Sequence, residues 1–149
     1  MKKVLASVVV ILLAALAPAT SVLNAAPPVT INAGTVKVTV TYKGKGKVDT
    51  THKLWVYLFD NPNIGPGAMP VGIVALDKNG ADAVFDNIAG DKIWVAAAFD
   101  ENGTMTGDAP PPTGSPVGLL TGADGAPSAI APGATSPAVL TFDDTIRMP

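Results

Sequence analysis

The chain has no cysteine, a single histidine and a single glutamate among 149 residues. The missing thiols exclude disulfides, thiol nucleophiles, zinc–thiolate sites and covalent haem attachment. An apolar core must then hold the fold unaided, which a domain of this length can do. Proton transfer near neutral pH commonly recruits histidine, and His52, beside Thr50 and Thr51 where a strand begins, reads as a loop residue. Glu101 sits in a turn. The serines from Ser115 onward lie in proline-rich segments, and "TGSPVG" lacks the Gly-x-Ser-x-Gly spacing that lifts a nucleophile onto a strand-to-helix elbow. No glycine-rich phosphate loop opens a helix, and nothing singles out two aspartates as a glycosidase pair. The expectation is a protein without catalytic activity.

Charge is scarce as well, with net −2 over the whole chain. The only basic cluster is Lys43, Lys45 and Lys47 in "YKGKGK", which reads as a solvated, glycine-rich hairpin tip. With no basic stripe to neutralise phosphates, nucleic acid is not an expected partner.

Long apolar runs are confined to the beginning. "MKKVLASVVVILLAALAPAT" joins a basic start to 13 apolar or small residues, Val4 to Leu16, and then Ala17-Pro18-Ala19. This is the pattern of a secretory signal peptide, and the run is short of the roughly 20 residues that a spanning helix needs. Cleavage after Ala19 or Ala25 is expected, giving a signal segment at 1–25, no membrane span in the mature chain, and a periplasmic or secreted location. Loss of Lys2 and Lys3 leaves 8 Lys+Arg against 12 Asp+Glu.

The rest reads as strands. "TVKVTVTYK" alternates, with Val36, Val38, Val40 and Tyr42 on one side and Lys37, Thr39, Thr41 and Lys43 on the other. In "KLWVYLFD", Leu54, Val56 and Leu58 share one face and Trp55, Tyr57 and Phe59 the other, so both faces are apolar and the strand is expected to be central. "VGIVALD" ends in Asp77-Lys78-Asn79-Gly80, whose Asn-Gly pair favours a tight hairpin, and "ADAVFDNI" returns. "DKIWVAAAFD" sets Ile93, Val95 and Ala97 against Trp94, Ala96 and Ala98, and its alanines imply close approach of another layer. A Pro/Gly-rich segment follows at 109–137, holding Val117–Leu120 and Ala129–Ala131 as short edge pieces. "AVLTFDD" closes the fold as a centrally paired strand, and "TIRMP" reads as a tail. No stretch of the mature chain has a helical period. The expected fold is one all-β domain over 26–149, an immunoglobulin-like antiparallel sandwich of about seven strands.

"LWVYLFD", a hairpin, and then "IWVAAAFDENGTMTGD" resemble small exported bacterial proteins with a transthyretin-like fold, related to the carboxypeptidase regulatory-like domains. The resemblance covers roughly Gly34 to Asp108 and implies an accessory or binding module. It implies no particular ligand.

Two groups of residues are candidates for binding. Asp100, Asn102, Thr104 and Asp108 follow calcium-loop spacing, although Met105 and Pro111 stand where such a loop has glycine and glutamate. Asp60 and Asp100, each ending an aromatic strand, would join Asn102 and Asp108 in a loop-end calcium site if they converge. The plain alternative is a turn, since Asp-x-Asn-Gly recurs at Asp77. Trp55 and Tyr57 would form a flat platform for a carbohydrate or protein partner unless another layer covers them. The functional expectation is an exported, non-catalytic binding or accessory module without a resident cofactor. The alternative is a structural subunit that assembles through strand edges, by "VLTFDD" or the lead-in "VTINA".

Overall fold

The computed structural model describes residues 33–65 and 67–149, so the signal segment and most of the lead-in fall outside the described residues. Eight strands follow one another: β1 (Ala33–Tyr42), β2 (Leu54–Phe59), β3 (Gly72–Leu76), β4 (Asp82–Ala89), β5 (Ile93–Phe99), β6 (Val117–Leu119), β7 (Ala129–Ile130) and β8 (Ala138–Phe142). No helix occurs among the described residues, and hence none long and apolar enough to cross a membrane.

The strands form a sandwich of two sheets. The smaller has the order β4-β1-β8; the larger runs β3-β2-β5-β6, with β7 also pairing β5. Period-two patterning fixes which residues meet between them. Val36, Val38 and Val40 of β1, Leu54, Val56 and Leu58 of β2, Ile93, Val95 and Phe99 of β5, and Leu140 of β8 are all buried in one core. β2 lies between β3 and β5 as its two apolar faces require. The Asp77–Gly80 turn carries the chain from one sheet to the other. Only Gly80 of its Asn-Gly pair takes positive φ, at 76°. Asn79 instead uses its side-chain amide as a strand would use its backbone: Oδ1 accepts from the Tyr42 N–H at 2.7 Å and Nδ2 donates to the Tyr42 carbonyl at 2.7 Å.

Asp77–Gly80 does not close the expected hairpin, because β3 and β4 belong to different sheets, and three further expectations need correction. The sandwich is not wholly antiparallel, because β8 pairs β1 in parallel from Val38↔Ala138 to Tyr42↔Phe142. β8 is therefore a marginal strand of the small sheet and not a central one. "TIRMP" is no free tail: Ile146 and Met148 exchange backbone hydrogen bonds with Val117, Ser115 and Gly114. Apolar side chains at Ile146 and Met148 and the single arginine between them were its legible signs.

Asp144 ties this returning segment to the core. Its carboxylate accepts from the buried Tyr42 hydroxyl and from the Lys45 N–H at 2.9 Å, with the Arg147 guanidinium 3.7 Å away. These contacts, the Tyr42 hydroxyl first, hold its carboxyl below the usual range. Asp49, Asp82 and Asp143 are depressed too, chiefly by the His52 amide, the Lys37 ammonium and Thr145 respectively. A carboxyl depressed on folding contributes stability that is complete above its unfolded pKa of about 4 and is lost as pH falls through the folded value. Melting temperature is thus expected to hold between roughly pH 5 and 8 and to drop below about pH 4, with part of the drop absent in Tyr42→Phe. A flat profile down to about pH 2.5 would contradict this reading.

Candidate functional site

The outer face of the larger sheet is apolar. β2 presents Trp55, Tyr57 and Phe59 there, and β5 presents Trp94, Ala96 and Ala98, because consecutive residues alternate across a sheet. Tyr57, Phe59 and Ala98 are buried in a second cluster, packed by Trp55, Trp94, Ile64, Ala68, Met105 and Val117. The cover comes from two loops. Ile64 and Ala68 lie in the connection from β2 to β3, and Met105 lies in the connection from β5 to β6.

Asp100 builds the second loop. Only 3% exposed, it accepts the Thr104 N–H on Oδ1 at 3.0 Å and the Met105 N–H on Oδ2 at 2.9 Å. Its own N–H donates to the Lys53 carbonyl at 3.0 Å. The carboxylate thus folds the loop back across the sheet. Gly107 then crosses directly above Trp55: its φ is 85°, and a Cβ there would stand 2.6 Å from the indole. From outside, Glu101 is held by Arg147, with Nη1 at 2.8 Å and Nη2 at 3.2 Å, and Nη1 also donates to the Gly114 carbonyl.

Between the two loops runs a groove of about 1020 Å³, the size of a generous small-molecule site. Tyr57, Phe59, Ile73, Ala96 and Leu119 line it from the sheet. Ile64, Gly65, Ala68, Met69 and Pro70 form one wall, Gly107–Pro111 the other, and Ile146 and Met148 close one side. Ala96 and Ala98 account for the space, since longer side chains at these outward positions would fill the floor. The alanine run therefore marks a groove and not only the approach of another layer.

Two polar atoms on this face have no partner and no contact with solvent: the Tyr57 hydroxyl and the Trp55 indole nitrogen. Leaving such a group unpaired costs about 1–3 kcal/mol, so a group able to accept from either atom would gain by doing so. Burial, and secondarily the Asp100 carboxylate, push the Tyr57 hydroxyl up to about 12, so it stays protonated and able to donate.

The binding candidates are redistributed. Trp55 and Tyr57 do share a face, but they are not an open platform. Tyr57 is 6% exposed and lines the groove, while Trp55 lies beside it under Gly107. Asp60 and Asp100 do not converge. β2 and β5 are antiparallel, with Leu54 opposite Phe99 and Phe59 opposite Trp94, so the two aspartates leave opposite ends of the sheet, about 20 Å apart along the strands. Asp60 is exposed and accepts from the Asn61 side chain. Asp108 lies on the groove wall, and Asn102 is exposed in the turn before Gly103. Among the described residues no three acidic, histidine or cysteine side chains are grouped to hold a metal ion. His52 is half-buried, with Nδ1 3.1 Å from Asp49 in a local turn. Sequence reasoning missed Ile64, Ala68, Ile146 and Met148. Their signal was apolar side chains inside Pro/Gly-rich or terminal segments, where a solvated loop would carry polar ones.

Comparison with protein-family models finds no family that matches the chain, and neither the curated proteins nor the solved structures yield a match.

Proposed function

We propose that this protein is an exported, non-catalytic binding module that holds an apolar or amphipathic small molecule on the outer face of its larger sheet. The observation that carries this reading is the groove of about 1020 Å³ over Ala96 and Tyr57. A groove with apolar walls and few polar groups is the usual form of a small-molecule site. The transthyretin-like resemblance agrees with an accessory or binding role and supplies no ligand.

The test is titration with N-phenyl-1-naphthylamine, a neutral dye that brightens in apolar surroundings. Saturable binding of one dye per chain is expected. Ala96→Leu fills the floor from a partly exposed position and should weaken the dye at least about ten-fold, while melting changes by less than roughly 3 °C. Binding that does not saturate, or that Ala96→Leu leaves intact, would contradict the reading.

A second reading, assembly through a strand edge, has one observation in its favour. β3 ends the larger sheet, and Met69 and Val71 just before it and Ile73 within it are 79%, 47% and 37% exposed. Light scattering on the same samples separates the two. A monomer that binds dye supports the groove, and concentration-dependent growth without dye binding supports the edge.

A further inference from the structure

We infer, resting on the groove as a binding site, that its ligand is an electrically neutral amphiphile whose apolar body lies along Ala96 and whose carbonyl, ether or hydroxyl oxygen accepts a hydrogen bond from the Tyr57 hydroxyl. Both unpartnered atoms on this face are donors: an indole N–H can only donate, and the Tyr57 hydroxyl keeps its proton. A group that satisfies them must therefore be an acceptor. A cationic head brings donors alone: it could meet only the oxygen lone pair of the Tyr57 hydroxyl and would leave the O–H proton and the indole N–H without an acceptor.

An anionic head fails for a different reason. Asp100 is buried near enough to Tyr57 to act on its hydroxyl, and its two oxygens are already engaged by the Thr104 and Met105 amides. The groove lining adds Asp108 and Asp143 against Lys43 alone. A second buried negative charge beside Asp100 would meet no counter-charge in a poorly screened place. A neutral oxygen takes the hydrogen bond without that penalty.

Access comes through one wall. Among the described residues no hydrogen bond ties Thr106–Pro111 to the sheet beneath, whereas the start of the same loop is fastened by Asp100 and by the Arg147–Glu101 pair. The far part of the wall is the less fastened one, and the proposed contact requires it to move outward so that the ligand oxygen reaches the Tyr57 hydroxyl, which is buried in this structure.

The test is displacement of N-phenyl-1-naphthylamine from the purified protein at neutral pH by three molecules of equal chain length: methyl laurate, laurate and dodecylammonium. Methyl laurate is expected to displace the dye about ten-fold more tightly than either charged chain. Tyr57→Phe, which removes only an unpaired hydroxyl and should melt no lower than the parent, is expected to erase that advantage. Equal or tighter displacement by laurate or dodecylammonium overturns the neutral head group. An undiminished ester advantage in Tyr57→Phe overturns the role of the hydroxyl. A dye that never binds the parent, or that binds Ala96→Leu equally well, overturns the groove reading itself.

Discussion

Phe99→Ala is expected to destabilise the domain by about 3–5 kcal/mol. Phe99 is 2% exposed and stands at the end of β5 where the two sheets meet. Its ring stacks on Tyr42 of the smaller sheet, with centroids 4.4 Å apart and planes inclined by 24°. Its strand partner in the larger sheet is Leu54. Truncation opens a cavity that the surrounding backbone cannot close, because β1 and β2 hold their positions through their own ladders. No disulfide limits the unfolded chain, so the loss falls directly on a total stability of the order of 5–15 kcal/mol. A drop in melting temperature of about 15 °C or more follows for a domain of this size. Thermal unfolding followed by circular dichroism measures it. A drop of less than about 5 °C would mean that Phe99 does not join the sheets as described.

Asp100→Ala should be nearly as severe for a polar reason. The carboxylate satisfies the Thr104 and Met105 amides from a buried position, and charge-assisted bonds of this kind contribute about 1.5–3 kcal/mol each. Their combined loss is expected to cost about 3 kcal/mol, or on the order of 10 °C in melting temperature. Asp100→Asn keeps one good acceptor and should lose about half as much. The loop over Trp55 should loosen in both variants, shifting tryptophan emission to longer wavelength before the main unfolding transition. Millimolar calcium is expected to leave the parent melting temperature unchanged, since both Asp100 oxygens are occupied and Asp60 is at the other end of the sheet. Calcium at 100 times its dissociation constant would add about 2.7 kcal/mol, so a rise of roughly 10 °C abolished in Asp100→Ala would restore the metal loop.

The strands were legible because their patterns are local. Val36-x-Val38-x-Val40 and the two-faced "LWVYLF" specify which side chains point inward whatever lies beyond them. Strand order is a different kind of information. Nothing in "AVLTF" says that it pairs β1 in parallel, because the same alternation suits either direction and either an edge or a central place. The expectation that Asp60 and Asp100 meet rested on two similar strand endings. Similar endings on adjacent antiparallel strands must diverge, so strand direction decided that question and the motif could not. Asp100 was correctly noticed, but its spacing to Thr104 and Met105 reflects a carboxylate capping its own turn.

The groove was half legible. Tyr57 and the alanines of β5 could be placed on one face from the sequence. The loops that wall the groove could not, since Ile64, Ala68 and Met105 sit in segments whose course depends on tertiary packing. Arg147 shows the same limit: its partner Glu101 is 46 positions away, and only the pairing of the returning segment with Ser115–Val117 brings them together.

The most direct test of the groove is methyl NMR of the labelled protein during titration with a neutral probe such as methyl laurate. The expected result is that methyl resonances of Ile73, Ala96, Leu119 and Met148 shift together and saturably, while those of Val38, Val56 and Leu140 in the core between the sheets stay in place. Shifts spread through the core, or no saturable shift on the outer face, would contradict the groove as the binding site.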